Sequence, residues 1–279
     1  MDKEKGKSKK EKDGNFLPLT YLRSAEELRC GARTIADHPG RKINSLWDPI
    51  VNLKEDLEDD LRVLGSRVKG QVHQTAVIYA PENVLIEEGA EVEACAVLDA
   101  RQGPIYIGKG TIVKAGANLR GPLSIGSECR IGGEVTHSIF HGYSNKAHYG
   151  FIGHSYIGEW VNLGAGTTNS NLKNNYGTVK VQVNGQAVDS GQQFLGCFIG
   201  DYAKLGIGTL ITTGAVIGLG ANVLGCKVTP KYVPNFQWDE KTRYRLEDFL
   251  KAAEAMMERR HRELDKGRRE RLTEIYNNL

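Results

Sequence analysis

Several features of common protein classes are missing from this chain. No stretch is apolar and long enough to span a membrane, and the lysine-rich start lacks the apolar core of a signal peptide. The formal net charge is only +3, which does not indicate a nucleic-acid-binding surface. Five cysteines stand far apart, without the spacing of a disulfide framework or a zinc motif. We therefore expect a cytoplasmic protein with reduced thiols and with no nucleic-acid or membrane partner.

An apolar residue at every sixth position is the strongest pattern that the sequence does contain. A period of six is neither helical nor alternating, and it is typical of a hexapeptide β-helix, in which about three units complete a triangular coil. The chain has 33 glycines, and many follow the apolar position, where the backbone has to bend. The sequence predicts a mainly β protein, a parallel β-helix of about seven coils. The periodic residues are Ile107, Val113, Leu119, Ile125, Ile131, then Ile157, Leu163, then Ile199, Leu205, Ile211, Ile217 and Val223.

This period divides the chain into four parts. Residues 1–14 are a charged tail that we expect to be disordered. Residues 15–65 lack the period and predict a short strand at Phe16–Leu19 followed by short helices. The β-helix is predicted for 66–235, with a loop at 168–198 in which VKVQV and Asn184-Gly185 indicate a β-hairpin. Residues 236–279 carry a helical apolar stripe and predict C-terminal helices.

Polar residues concentrate between Glu134 and Asn171, where the coil is irregular and the loop begins. Such a concentration is better explained by a ligand site than by packing. Three converging neutral imidazoles could also hold zinc, so a metal site is one interpretation of the histidines alone. Four of the seven histidines lie here, namely His137, His141, His148 and His154.

The same segment resembles the acetyltransferase domain of GlmU-type enzymes, which acetylate glucosamine 1-phosphate from acetyl-CoA. The spacing from the glutamate to the last asparagine agrees without gaps, and the resemblance covers roughly residues 120–234. It implies left-handed coils, a homotrimer with the acetyl site between subunits, and a role in UDP-N-acetylglucosamine-type sugar nucleotide synthesis. The matching features are RGPLSIGSECRIG from Arg120, Glu134-Val135, NKAH ending at His148, NLGAGT from Asn162, and Asn171.

The resemblance implies a role for each matching residue. His148 corresponds to the general base that takes a proton from the attacking amine, and Glu134 to the acid that orients it. The Ala165 N–H corresponds to the donor that binds the thioester oxyanion of acetyl-CoA. No metal is expected to be required. The residues expected to contact the amino-sugar phosphate are Arg120, Asn162, Asn171, Phe151 and Lys146.

The chain departs from the family pattern at two positions that matter for substrate binding. Thr136 stands where the family has a phosphate-binding lysine, and Phe151 where it has a tyrosine. Lys146 and Lys173 are the candidates to replace the lost cation. Fewer cations should weaken the binding of a sugar phosphate, by about 1 kcal/mol for each exposed contact.

A second resemblance lies near the start of the chain. FLPLTYLRSAEELRCG and SLWDPIVN are similar to the edges of the nucleotidyltransferase-like domain in a bacterial subgroup of GlmU-like proteins. The glycine-rich GxGxR nucleotide loop is absent near the start. The resemblance implies a lost or shortened uridylyl-transfer half, and we do not expect nucleotidyltransferase activity.

Three functions follow, the first being an acetyl-CoA-dependent N-acetyltransferase that acts on an amino-sugar phosphate. The changes at Thr136 and Phe151 favour a second, a non-catalytic trimeric β-helix that binds a sugar phosphate or nucleotide. The histidines leave open a third, a γ-class carbonic anhydrase, also a left-handed β-helix trimer with zinc between subunits. Asn162 and Asn171 have no purpose in that third reading.

Overall fold

The computed structural model describes residues 14–239 and 241–279 and confirms the predicted parallel β-helix with short helices at both ends. The expected charged tail lies outside these residues, apart from Gly14. Nine parallel strands stack on the first face of the β-helix, which therefore has about nine turns. The sequence predicted about seven. The nine strands are β1 (Arg67–Val68), β4 (Val84–Ile86), β7 (Ile105–Ile107), β9 (Asn118–Ile125), β11 (Glu134–Gly142), β14 (Tyr156–Glu159), β19 (Cys197–Ile199), β22 (Ala215–Ile217) and β24 (Tyr232–Val233).

The other two faces have fewer strands because the coils at the ends are incomplete. The second face is β2 (Gln71–Val72), β5 (Glu91–Val92), β8 (Ile112–Val113), β10 (Arg130–Ile131), β12 (Asn145–Lys146), β15 (Asn162–Leu163), β20 (Lys204–Leu205) and β23 (Asn222–Val223). The third face is β3 (Val77–Tyr79), β6 (Val97–Asp99), the first parts of β9 and β11, β13 (Phe151–Gly153), and the pair β16 (Thr168–Asn169) and β21 (Leu210–Ile211).

The periodic apolar residues point into the prism, as the period of six predicts. All twelve belong to one buried cluster that runs the length of the β-helix. The glycines beside them let neighbouring coils approach closely. A Cβ at Gly126, for example, would lie 2.0 Å from the carbonyl oxygen of His141 on the next coil. The sequence period therefore records which side chain faces inward on each coil.

The N-terminal segment packs on the outside of the first face. Phe16–Leu19 forms a turn and not the predicted strand, closed by the Leu19 N–H donating to the Phe16 carbonyl (2.9 Å). The predicted helix after Ser24 is a single 3-10 turn, Ala25–Glu27, capped by Ser24 and Glu27. A second 3-10 turn (Ile35–Asp37), α1 (Asp48–Val51) and α2 (Leu53–Leu64) complete the segment, and a third 3-10 turn, Pro81–Asn83, lies within the β-helix.

Two further elements lie outside the coils, and one of them, a hairpin, packs Val181 on the first face. The antiparallel hairpin of β17 (Lys180–Val183) and β18 (Gln186–Asp189) turns at Asn184-Gly185, where both residues have positive φ. Beyond the last coil lie α3 (Leu246–Glu258) and α4 (Lys266–Asn277). Phe249, Ala253 and Met257 of α3 and Leu272 and Ile275 of α4 belong to one buried cluster with Tyr202 and Trp160. None of the helices among the described residues combines the length and apolar character needed to cross a bilayer.

A buried ion cluster joins the three parts of the molecule. Arg23 of the N-terminal segment pairs with Glu159 (3.0 Å) and Asp201 (2.9 Å) of the β-helix. Arg268 of α4 pairs with the same Glu159 at 2.9 Å. The Arg23 side chain is 7% exposed and that of Asp201 1%, so this cluster is shielded from water. Burial raises the pKa of the Asp201 carboxyl, and the Arg23 guanidinium opposes that shift.

Removing Arg23 should therefore be costly. We expect Arg23→Met to lower the free energy of unfolding by about 3–5 kcal/mol, because two buried carboxylates lose a shared cation. Arg62→Met is the matched control, because the Arg62 side chain, which pairs with Asp59, is 74% exposed. This substitution should lower the free energy of unfolding by less than about 1 kcal/mol. Urea unfolding of both variants measures the difference. Equal losses would mean that the cluster does not hold the segment in place.

Candidate active site

Arg120 and Glu134 meet on the outer surface of the third face. Strand register places Arg120 beside Thr136 and Glu134 beside Phe151 on neighbouring rungs. The Arg120 guanidinium lies 3.6 Å from the Glu134 carboxylate, and both side chains are about half exposed, at 53% and 41%. The two charged groups are thus held together at an open surface, where a substrate could reach either of them.

Phe151 and Asn171 meet around Gly153 on the same face. A Cβ at Gly153 would lie 2.5 Å from the Phe151 ring and 2.9 Å from the Asn171 side-chain amide nitrogen. Only glycine therefore allows the ring and the amide to come together. The structure gathers four of the predicted site residues, Arg120, Glu134, Phe151 and Asn171, on consecutive rungs of one face.

His148 lies at the corner between β12 and β13. Its side chain is exposed and makes no hydrogen bond or ion pair within the described part of the chain. The carboxylate of Glu134, expected to orient this imidazole, is paired with Arg120 in a single chain. The backbone at this corner is fixed nonetheless, because the Lys146 ammonium donates to the His148 carbonyl at 2.5 Å. The His148 imidazole is therefore accessible to a ligand, and the backbone that carries it is fixed by a hydrogen bond.

The corner that carries Ala165 stacks directly on the corner that carries His148. The Gly166 N–H donates to the Tyr149 carbonyl (3.0 Å), which ties the two coils together. The Ala165 carbonyl accepts from Gly208 on the following coil (2.8 Å), whereas the Ala165 N–H donates to none of the described residues. An imidazole and an unused backbone donor therefore lie on adjacent coils of one chain.

Lys146 is inside the prism and not on its surface. It pairs in register with Ile131 and is 2% exposed, so a lysine occupies an inward position otherwise filled by aliphatic residues. Its ammonium donates to the carbonyls of Gly132 (3.0 Å) and His148 (2.5 Å). This location does not fit the phosphate contact that the resemblance implied for Lys146. Burial lowers the pKa of the amine to about 8.

The buried Lys146 amine should make the free energy of unfolding depend on pH. A lysine whose pKa is lowered on folding destabilises the protein below about pH 8, and the penalty is relieved as pH rises toward the unfolded value of 10.5. We expect the free energy of unfolding of wild type to rise relative to that of Lys146→Met between pH 8 and 10, by at most about 1.4 kcal/mol per pH unit. Urea unfolding of both proteins at three pH values checks the slope. Parallel curves would show that Lys146 is not buried as an ammonium.

Asn162 lies on the second face, apart from the four residues of the third face. The side-chain amide of Asn145, on the neighbouring rung, approaches the Asn162 side-chain oxygen at 3.5 Å. Asn145 in turn accepts a hydrogen bond from Arg260 (2.8 Å), which follows α3. Sequence reasoning missed Asn145 and Arg260, since they are 115 positions apart and neither belongs to a periodic pattern.

The four histidines of the polar segment do not converge within one chain. His137 and His154 stack with ring centroids 4.4 Å apart, and each uses a ring nitrogen elsewhere, on the Ile50 carbonyl and on the Asn171 amide (both 2.9 Å). Phe194, from the end of the loop, stacks on the other side of His154. Burial lowers the pKa of both His141 and His154 to about 3. This arrangement is a packed aromatic stack that positions Asn171.

A shallow cavity of about 370 Å³ adjoins Arg120. Arg101 and Tyr79 line it as well, and the Arg101 guanidinium lies over the Tyr79 ring, 4.4 Å from its centroid. Asp99 pairs with Arg101 at 2.7 Å. The cavity therefore offers a second arginine close to the one that the sequence singled out.

Comparison with known proteins gives relatives of one kind. A bifunctional sugar-1-phosphate nucleotidylyltransferase/acetyltransferase from Sulfurisphaera tokodaii is 40% identical over 90 residues, which are 32% of this chain and 22% of that protein. Proteins named bifunctional protein GlmU from Methanococcus aeolicus and Methanocaldococcus jannaschii are each 31% identical, over 66% of this chain and 46% of theirs. The chain thus spans less than half the length of these relatives.

No family model matches the chain. A solved hexapeptide transferase family protein from Anaplasma phagocytophilum aligns with 67% of this chain and 88% of that one, at 14% identity and a TM-score of 0.20, too low for any conclusion about function.

Proposed function

We propose that this chain, a homologue of GlmU-type bifunctional proteins, is an acetyl-CoA-dependent N-acetyltransferase that acts on an amino-sugar phosphate. Glucosamine 1-phosphate or a related hexosamine is the acceptor, and UDP-N-acetylglucosamine-type sugar nucleotide synthesis in the cytoplasm is the setting. The matched portion of each relative covers at most 46% of that protein, so the proposal concerns acetyl transfer and not uridylyl transfer.

One observation carries the proposal: His148 and Ala165 lie on stacked corners, and each has an unused group. The His148 side chain is exposed and unpartnered among the described residues, and the Ala165 N–H donates to none of them. Acetyl transfer needs a base for the amine proton and a donor for the developing oxyanion. This pair provides both on a rigid support.

The chemistry would proceed as follows. His148 accepts a proton from the amine as its nitrogen attacks the carbonyl carbon of the acetyl thioester. The Ala165 N–H stabilises the oxyanion of the tetrahedral species. When the carbon–sulfur bond breaks, His148 returns the proton to the departing thiolate, so that the products are the amide and free CoA. Glu134 stabilises the imidazolium in the assembled oligomer, where Arg120 is drawn to the phosphate.

Substrate recognition is proposed for the remaining predicted residues of the third face and for Asn162 of the second face. Arg120 binds the phosphate, and Arg101 in the adjoining cavity supplies the second cation that Thr136 cannot. Asn171 and Asn162 hold the sugar hydroxyl groups and the amine, and Phe151 packs on the sugar ring. Lys146 is left out of this set because its ammonium is buried in the prism.

A second candidate is a non-catalytic β-helix that binds a sugar phosphate or a nucleotide. The observation in its favour is that Thr136 lacks the positive charge, and Phe151 the hydroxyl group, expected at the phosphate and sugar contacts. A coupled assay of CoA release with glucosamine 1-phosphate distinguishes the two. Turnover supports the transferase, whereas calorimetric binding without CoA release supports the binding protein.

His148→Ala should lower kcat by about 10²–10⁴, the usual contribution of a positioned general base. Acetyl-CoA affinity should change little, because the imidazole addresses the acceptor amine. The comparison variant is His154→Gln, which removes an imidazole that stacks on His137 and positions Asn171 but has no proposed part in proton transfer, so kcat should fall much less. Glu134→Gln should fall between them, since it acts through the histidine. Steady-state kinetics on the three variants test this order, and equal losses at His148 and His154 would contradict it.

We also propose a homotrimer in which the 168–198 loop reaches a neighbouring subunit and closes over the sugar site. In support, Leu210 and Val228 pair on adjacent rungs and are 49% and 64% exposed, an apolar surface that a partner would cover.

Light scattering should return three chains for wild type, and Val228→Lys should shift the mass toward one. Val63→Lys, at an equally exposed apolar position on α2, is the control and should leave the mass unchanged. A monomeric wild type at working concentration would rule the trimer out.

A further inference from the structure

Cys30, His38 and Asp56 lie together in the N-terminal segment, separate from the transferase site. One ligand atom from each, the thiol sulfur, a ring nitrogen and a carboxylate oxygen, lies within 4.8 Å of the other two. The residues are 0%, 6% and 1% exposed. They come from three pieces of backbone: the turn before Ile35–Asp37, the residue after it, and α2. No other group of this kind occurs among residues 14–239 and 241–279.

The polar groups of this cluster are incompletely satisfied. Neither carboxylate oxygen of Asp56 makes a hydrogen bond within the described chain. Among the described residues, Asp56 forms an ion pair only with the Arg41 guanidinium. A buried carboxylate with so few partners is costly, since native proteins satisfy nearly all buried polar groups. A cation bound between these groups would remove that cost.

We propose that Cys30, His38 and Asp56 bind a structural zinc ion. A thiolate, an imidazole and a carboxylate are all ligands that zinc accepts, and a combination of sulfur, nitrogen and oxygen donors favours it over calcium or magnesium. A water molecule completes four-coordination. Two anionic ligands balance the charge of the ion, so that burial of the site adds no net charge from the metal and its ligands.

The surrounding residues provide the outer contacts that metal sites usually have. Asp60 Oδ1 lies 3.1 Å from His38 Nε2, a carboxylate–imidazole contact of the kind that orients histidines in metal sites. Asp60 is itself fixed by the Ala32 N–H and by the Arg33 guanidinium, both at 2.5 Å. Arg41 pairs with Asp56 Oδ1, which leaves Oδ2 without an ion-pair partner among the described residues.

The site is also reachable and has a clear structural purpose. His38 and Arg41 line an open cavity of about 410 Å³, which gives an ion a path from solvent. The segment from 14 to 64 has only short helical elements, and small units with little core of their own are often held by a metal. Zinc would tie the loop that contains Cys30 and His38 to α2.

The test measures zinc in the full chain. We expect one zinc ion per chain after incubation with zinc and removal of the excess, by elemental analysis. Cys30→Ser and His38→Gln should each weaken zinc binding at least about tenfold. Cys226→Ser is the matched control, because Cys226 is an exposed thiol outside any such cluster. Circular dichroism establishes that each variant is folded.

Cobalt(II) gives an independent readout on the unmodified protein. We expect a thiolate-to-cobalt charge-transfer band that survives in Cys226→Ser and is lost in Cys30→Ser. Wild-type protein that takes up no zinc and gives no such band would overturn the proposal and leave a metal-free ion network. Zinc bound equally by wild type and both ligand variants would also overturn it, by placing the metal elsewhere. Neither result depends on acetyl transfer.

Discussion

The stacking of one coil on the next is the constraint on which the rest of this molecule depends. A six-residue unit has two or three residues of strand and cannot bury anything alone, so each coil is stable only against its neighbours. The inward position of every unit must then be filled, and nearly all of them hold aliphatic residues. Two polar residues of the described coils also occupy inward positions, namely Lys146 and Asn169, which is in register with Ile211. The Lys146 ammonium is accommodated because two carbonyls accept from it. One of these carbonyls belongs to His148. The same hydrogen bonds thus satisfy a buried ammonium inside the prism and fix the backbone of the proposed base.

The parts outside the prism are held by different forces. Apolar side chains of the N-terminal segment cover the outer surface of the first face, with Phe198 and Val216 among their partners. Aromatic residues of the C-terminal helices cover Trp160 and Tyr202. The two coverings meet at Glu159, which receives Arg23 from one side and Arg268 from the other. A single carboxylate on one coil therefore orients both, and burial makes that contact specific as well as strong.

The sequence allowed the architecture to be predicted because a period of six reports directly which residue faces inward. The hairpin followed from Asn184-Gly185 for an equally local reason. Prediction failed where the period changes. Ile131 and Lys146 are partners only fifteen positions apart, whereas a regular coil takes about eighteen. The shortened coil turns Lys146 inward, which no regular count could indicate. Phe16–Leu19 looked like a strand from composition, but its proline lacks a ladder donor and the segment turns. The meeting of Phe151 with Asn171 depends on Gly153, a contact that only three dimensions reveal.

The ion cluster at Glu159 has a consequence for the order in which the protein is made. Arg23 leaves the ribosome long before Glu159 and Asp201, so the N-terminal segment exists as a nascent chain before the surface that receives it. During that interval its leucines and Trp47, buried in the finished protein, can cover only the early coils that carry Leu85, Tyr106 and Ile139. The β-helix, by contrast, can add rungs as they emerge, because each needs only the one before it. The N-terminal segment can therefore pack on the early coils first, and its ion pairs form only after the coil that carries Asp201 has been made.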